Sequence, residues 1–263
     1  MIHTEITTTT GNKGRLGNQI IRNLAVSLIA EKYNLKVDYY NKDIIEKLGI
    51  NLFSGNNIYN TTEILNDSNY FSIYNCDNLN YNLDPNHNYF QTNEITNFLY
   101  LYLNNIKSNI IEKNIFKSRY NENNDLFIHV RLTDVSHLNP GIHYYTKTIE
   151  SIKLKFDNIY ISTDDENHSI IKTLLQHPKS KLIKYDEINT IQFASTCKYI
   201  ILSHGSFSAT IGYLSFFSDV YYPEYETNKI WYGDMFSIDS WIKCNVKYNI
   251  ERNIKHNGKH LIF

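Results

Sequence analysis

Cysteine is scarce in this chain, with three residues, Cys76, Cys197 and Cys244, far apart and odd in number. They match no metal-binding spacing, which argues against a disulfide framework or a zinc site and suits a reducing compartment. Long apolar runs are also lacking. The longest are strand-sized, well short of the roughly 18 residues of a membrane-spanning helix. The opening MIHTEITTTTGNKG has no cationic segment followed by an apolar one, so no signal peptide is expected and the protein reads as cytoplasmic and soluble. An excess of one charge is missing too: the formal net charge is -1, which offers no basic field to nucleic acid or an anionic membrane. Neither an internal repeat nor a coiled-coil heptad is evident.

Hydrophobic residues make up 42% and charged residues 20% of 263 positions, enough for the core of one large domain or two modest ones. Composition leans toward Asn, Ile, Tyr and Lys, as an AT-rich coding sequence would produce. Asn is densest from about 51 to 124, where long polar loops around less regular structure are expected. Residues 4–10 are β-branched and read as a strand. A glycine-punctuated loop, Gly11 to Gly17, follows. From Asn18, apolar residues at Ile20, Ile21, Leu24, Ala25, Leu28 and Ile29 predict a helix ending near Tyr33-Asn34, and Leu35–Tyr40 reads as a second strand. Residues 94–119 carry a further helical pattern.

After Asn124 the elements alternate strictly. Strands are predicted at 126–131, 158–162, 181–183, 199–203 and 219–222, with helices at 143–154, 165–176, 187–196 and 207–217. That alternation implies a parallel sheet covered on both faces. The expected boundary lies near 121–125, giving an N-terminal unit of 1–123 and a C-terminal unit of 124–263. The C-terminal tail is a candidate to pack back across the cleft between them.

Three strand ends carry the chemistry: 128-IHVRLTD-134, 159-IYISTDDEN-167 and 200-IILSHGSFSATIGYL-214. In an α/β sheet such ends lie at the carboxyl edge, where ligands bind. The planar fork of Arg131 suits a diphosphate through bidentate bonds; alternatively it forms a structural ion pair with Asp134, which is then the residue that orients it. His129 shares the face of Arg131 and is either core or a ligand contact. Asp164 and Asp165 could act as acid or base, hold a metal or read a base edge; equally, Thr163 or Asp164 could cap the helix predicted from 165. Gly205, Ser206, Phe207 and Ser208 join a strand to a helix, where backbone N–H groups and hydroxyls make an anion site or an ordinary cap. The segment is neither a Walker A loop nor a nucleophile elbow. Near the N-terminus, Gly14-Arg15-Leu16-Gly17-Asn18-Gln19 is not the dinucleotide fingerprint. It reads as a loop presenting Arg15, Asn18 and Gln19 to the cleft, or as a structural turn.

GRLGNQ opening a helix, H-x-R-x-x-D, a strand followed by S-T-D-D, and S-F-S after a strand occur here in that order. Together they resemble the α1,2-fucosyltransferases of glycosyltransferase family 11 and, more distantly, the α1,6- and protein O-fucosyltransferases. The likeness spans roughly residues 6–40 and 126–223. It implies a GT-B-like α/β fold of two Rossmann-type domains facing a cleft, with the donor site in the C-terminal half. It further implies GDP-L-fucose as donor, a glycan hydroxyl as acceptor, inversion at the anomeric carbon, and no essential metal or other cofactor. By matching position, Arg131 would hold the β-phosphate, His129 and Asp164 would lie near the nucleoside, and Ser206, Phe207 and Ser208 would line the pyrophosphate. Asn18, with Arg15, would sit near the transferred sugar.

Two departures are visible. The family's second Arg and its Gly, in H-x-R-R-G-D, are Leu132 and Thr133 here, so one diphosphate contact is missing or comes from elsewhere, such as a Lys or Arg of the N-terminal half. A Trp pair after S-F-S is Ala209-Thr210, a change that bears on packing. Candidate general bases are Asp134, His137, His143 and Glu94. The alternatives are a transferase of a different nucleotide sugar and a nucleotide- or glycan-binding protein without turnover. An NAD-type dehydrogenase is disfavoured by the missing fingerprint.

Overall fold

The apolar spacing after Gly17 winds into a long helix because successive turns can bury it on every side. The computed structural model describes residues 7–244 except 87, 135, 153–155 and 225–230, with the backbone alone at 231–233. Within it, β1 (Thr8–Thr9) leads to α1 (Leu16–Tyr33), and Asn34 ends that helix in the left-handed conformation (φ 53°), its N–H bonded to the Ala30 carbonyl. Asn tolerates this geometry where a β-branched residue would not. From Leu16 to Ala30 all residues of α1 but Asn18 are buried, as befits a helix covered on all faces.

The N-terminal half continues with β2 (Val37–Asp38), α2 (Lys42–Glu46), β3 (Thr62–Ile64), α3 (Tyr70–Tyr74), β4 (Asn82–Asp84), α4 (Asn93–Asn105) and α5 (Lys107–Lys113). Its strands are short and parallel, β1 with β2 and β3 with β4. The Thr8 hydroxyl accepts the Leu83 N–H at 2.8 Å and ties the two pieces together. The strands expected at 4–10 and 35–40 are therefore real but contracted, residues 4–6 lying outside those described. The Asn-rich stretch holds more regular structure than its composition suggested. Asn side chains there replace backbone partners: Asn82 both accepts the Tyr59 N–H (3.0 Å) and donates to the Tyr59 carbonyl (2.6 Å), and Asn66 accepts the N–H groups of Ser68 and Asn69. Such bonds hold loops that strand pairing does not. The single helical pattern at 94–119 is two helices and a 3₁₀ turn at Lys117–Arg119, broken after Asn104-Asn105, poor helix formers.

The C-terminal half runs β5 (Leu126–Val130), α6 (Gly141–Ser151), β6 (Ile159–Thr163), α7 (Ser169–Leu174), β7 (Ser180–Leu182), α8 (Glu187–Ala194), β8 (Tyr199–Ile201), α9 (Ser206–Tyr213), β9 (Asp219–Pro223) and β10 (Ile242–Cys244). These six strands form one parallel sheet ordered β10-β9-β8-β5-β6-β7. All five residues of β5 are buried, because helices cover both faces. The α/β class and the parallel sheet are as read from the sequence; β10 was not foreseen. Helix α7 starts four residues later than expected. Asp165 accepts the Asn167 N–H in a tight turn (3.0 Å), and His168, not Thr163 or Asp164, caps the helix through the Ile170 N–H.

One apolar core runs from α1 and α4 through α9 and β8 to Trp241, and a second lies on the opposite face of the sheet, under α6 and α7. The order of the sheet reverses between β5 and β8. In open α/β sheets the crevice above such a reversal is the ligand site. The C-terminal tail, 245–263, lies outside the described residues.

Candidate functional site

Strand β5 delivers Arg131 to the crevice, where its guanidinium folds over Gly205. A Cβ built on Gly205 would stand 3.2 Å from Arg131 Nη1. Gly205 turns the chain from β8 into α9 at φ 88°, ψ 162°, a region essentially closed to other residues. Arg131 Nη2 donates to both oxygens of Asp134 at 3.0 and 3.1 Å. From the N-terminal half, Arg15 Nη2 reaches the same carboxylate at 3.3 Å. Two cations from opposite sides thus meet on one acid, and the Arg131–Asp134 ion pair is present. Burial works to raise the pKa of Asp134, but the hydrogen bond and charge of Arg131, with the charge of Arg15, hold it below the ordinary carboxylate value. A carboxylate so held is a poor proton acceptor, which weakens Asp134 as a general base. Arg131 Nε is buried with no partner among the described residues. Ser206 and Phe207 of α9 complete this end of a cleft of about 180 Å³.

Beneath Arg131 lies a polar network. His129 Nδ1 is 2.8 Å from the Ser208 hydroxyl oxygen, which also accepts the Ser203 N–H at 2.8 Å. Ser203 Oγ in turn accepts from Tyr145 (3.0 Å) and the Arg131 N–H (3.3 Å), while Asn139 donates to the Arg131 carbonyl (2.9 Å). Ser208 therefore departs from expectation: fully buried, its hydroxyl braces the strand ends and is not presented to the cleft. His129 reaches the cleft wall and packs on Phe207, ring centres 5.3 Å apart.

Burial depresses the pKa of His129 to about 4, the charge of Asp164 opposing and that of Arg131 assisting. Burial, with Arg131 and His129 nearby, takes the adjacent His204 to about 3. Both rings stay neutral in the fold while the unfolded chain takes up protons below about 6.5. Their contribution is therefore complete above that pH and lost as pH falls toward 4 for His129 and 3 for His204. Between pH 6 and 5, unfolding free energy should fall by up to about 1.4 kcal/mol per pH unit for each histidine. Urea titrations of wild type and His204→Asn should show a shallower slope in the variant; identical slopes would remove His204 from this account.

Asp164 also lines the cleft, but its carboxylate is engaged. Oδ1 accepts the Leu132 N–H at 2.6 Å; Oδ2 accepts the Thr133 hydroxyl at 2.6 Å and the Thr133 N–H at 3.4 Å. Asp165 is spent on its turn. In the N-terminal loop, Arg15 faces the cleft, whereas Asn18 accepts from Gln91 (2.9 Å). Gln19 corrects the sequence reading: it is buried, donating to the Gly14 carbonyl (2.7 Å) and accepting from Asn41 (2.8 Å), so it fastens the loop and is not presented to the cleft. Gly17 is needed by contact, since a Cβ there would lie 2.4 Å from the Phe207 nitrogen. Among the candidate bases, His137, His143 and Glu94 are exposed.

Sequence reasoning missed Tyr185, Glu187 and Thr190, which form the far wall of the cleft after β7. The same signal that marked the other strand ends was present there, an apolar LI followed by KYDE.

No protein-family model matches the chain, and no relative was found among curated proteins. Among solved structures the chain is similar to NodZ α1,6-fucosyltransferase from crystals soaked with GDP-fucose, over 79% of this chain and 91% of that one, at 9% identity and a TM-score of 0.48.

Proposed function

We propose that this protein is an inverting glycosyltransferase that moves L-fucose from GDP-L-fucose to a glycan hydroxyl, forming an α1,2 linkage. One observation carries the transferase reading: Arg131 and Arg15, from opposite halves, converge at the β5/β8 reversal beside the N-terminus of α9. A diphosphate there would meet two cationic forks and the first turn of α9, whose N–H groups have no partner within the helix. Arg15 occupies the role left open by Leu132, a second cation for the diphosphate drawn from the N-terminal half. The sugar and the linkage rest on the ordered motifs GRLGNQ, H-x-R-x-x-D, S-T-D-D and S-F-S.

In the proposed step the acceptor oxygen bonds to C1 of fucose as the bond from C1 to the β-phosphate oxygen breaks. The electron pair and negative charge leave with GDP, and the acceptor proton passes to a base or to solvent. Charge grows on the departing phosphate, so donors fixed there give the main stabilisation. Asp134, which holds both arginines in the free protein, would cede them to the phosphates.

Thermal unfolding with GDP, UDP, CDP and dTDP tests the donor class. GDP at about 100 times its Kd should stabilise by roughly 2.7 kcal/mol. Stabilisation by another nucleotide with none from GDP would overturn the donor. Release of GDP from GDP-fucose in the presence of an acceptor array separates a transferase from a protein that only binds.

A further inference from the structure

We infer that Tyr185 and Glu187 form the base subsite of this cleft, Tyr185 as the platform for a guanine ring and Glu187 as the acceptor for its N1–H and N2–H donors. The inference rests on the nucleotide-diphosphate reading above and adds the part that selects the nucleotide.

Direction comes first. With the diphosphate over the β5/β8 reversal, the cleft can extend only along its own lining, past Thr163 and Asp164 at the end of β6 to Tyr185 and Glu187 after β7. The nucleoside of a ligand anchored at such a reversal lies over the neighbouring strand ends. Tyr185 suits a stacking platform. It is 44% exposed, and its ring makes tilted contacts with Phe116 and Phe193, ring centres 5.4 Å away in each case. An aromatic ring that lines the cleft, part exposed and part held by two other rings, loses little side-chain freedom when a base packs on it.

The polar contact follows by elimination among the carboxylates of this wall. Asp164 is engaged by Leu132 and Thr133 in the loop after β5, and Asp165 by the turn it belongs to. Glu187, two residues after Tyr185, is exposed on the cleft and has no ion-pair partner among the described residues. An acceptor-only group selects a base edge that carries adjacent donors. Guanine offers N1–H beside the 2-amino group; hypoxanthine keeps N1–H and lacks the amine; uracil has one N–H between two carbonyls.

Titration of the full-length protein with GDP, IDP and UDP tests this. Wild type should prefer GDP over IDP by about tenfold or more, the value of one charge-assisted bond. In Glu187→Gln the preference should fall to within roughly threefold, because an amide can accept from only one of the two donors. Tyr185→Ala should weaken GDP and IDP alike by about tenfold, as loss of a stacking face does. Thermal unfolding without nucleotide checks that each variant is folded; exposure of both side chains makes large losses unexpected. An unchanged GDP/IDP ratio in Glu187→Gln, or its collapse in Asp164→Asn alone, would overturn the subsite while leaving the donor proposal standing. Wild type that binds UDP and not GDP would instead overturn the donor proposal, and the subsite with it.

Discussion

Arg131→Ala should lower turnover with GDP-fucose by about 100- to 1,000-fold, corresponding to roughly 2.7–4 kcal/mol of lost transition-state stabilisation, while the unfolding midpoint hardly moves. The two halves of this expectation come from different contacts. Its functional half comes from the guanidinium lying over Gly205 at the mouth of α9, where the proposed reaction would place charge on the leaving group. The structural half comes from its protein partners. Asp134 is an exposed carboxylate three residues on, and without Arg131 it still has Arg15 at 3.3 Å, so no charge is left unpaired. Arg131 Nε lacks a partner among the described residues, so its removal relieves an unmet bond as well as breaking a met one. Arg131→Lys separates charge from geometry: it keeps the cation and loses the fork, and should fall between wild type and Ala. Turnover is read from GDP released with acceptor present, stability from urea denaturation of the same preparations. Near-normal turnover in Arg131→Ala would sink the assignment, and a large loss of stability would move Arg131 from chemistry to scaffold.

How much of this was legible in the chain depends on the range of the interaction. The βα alternation after Asn124 was readable because it is local: apolar runs alternate with helical spacing, and Arg131 sits at the end of LFIHV with Asp134 only three residues away. Contacts that decide where polar side chains point are long-range. Ser208 looked like a donor at a helix N-terminus, yet its hydroxyl is claimed by His129, 79 residues away. Asp164 looked like a cap or a base reader, and is drawn to the loop 31–32 residues earlier. Gln19 looked exposed because it follows a glycine loop; Asn41, 22 residues on, takes its side chain inward. Short strands such as β10 pair along only three residues, too few for alternation to register. The gap in the H-x-R-x-x-D motif at Leu132 left one contact absent or supplied from elsewhere; the pairing of Arg15 with Asp134, across 119 residues, is a contact that the motif could not announce.

Gly17→Ala should destabilise the protein by about 1–3 kcal/mol, the usual cost of forcing an extra group into a packed contact, and should also weaken nucleotide binding. The methyl group would lie 2.4 Å from the Phe207 nitrogen, 2.6 Å from its Cα and 2.6 Å from the Ser206 carbonyl carbon. Each of these is backbone in the first turn of α9, so no rotamer change can clear the way. Relief requires α9 and α1 to separate by roughly 1 Å, since carbon contacts settle near 3.5–4.0 Å. That displacement falls on the turn that carries Gly205 beneath Arg131 and sets Ser206 and Phe207 into the cleft. A shift of about 1 Å at a positioned group can cost up to 100-fold in rate, so turnover should suffer more than stability alone explains. The comparison that isolates this is turnover measured at a temperature where the variant is fully folded by circular dichroism. If activity then equals wild type, the α1–α9 crossing is packing only; if it stays low, the glycine of the GRLGNQ motif fixes the distance between the two halves on which the cleft depends.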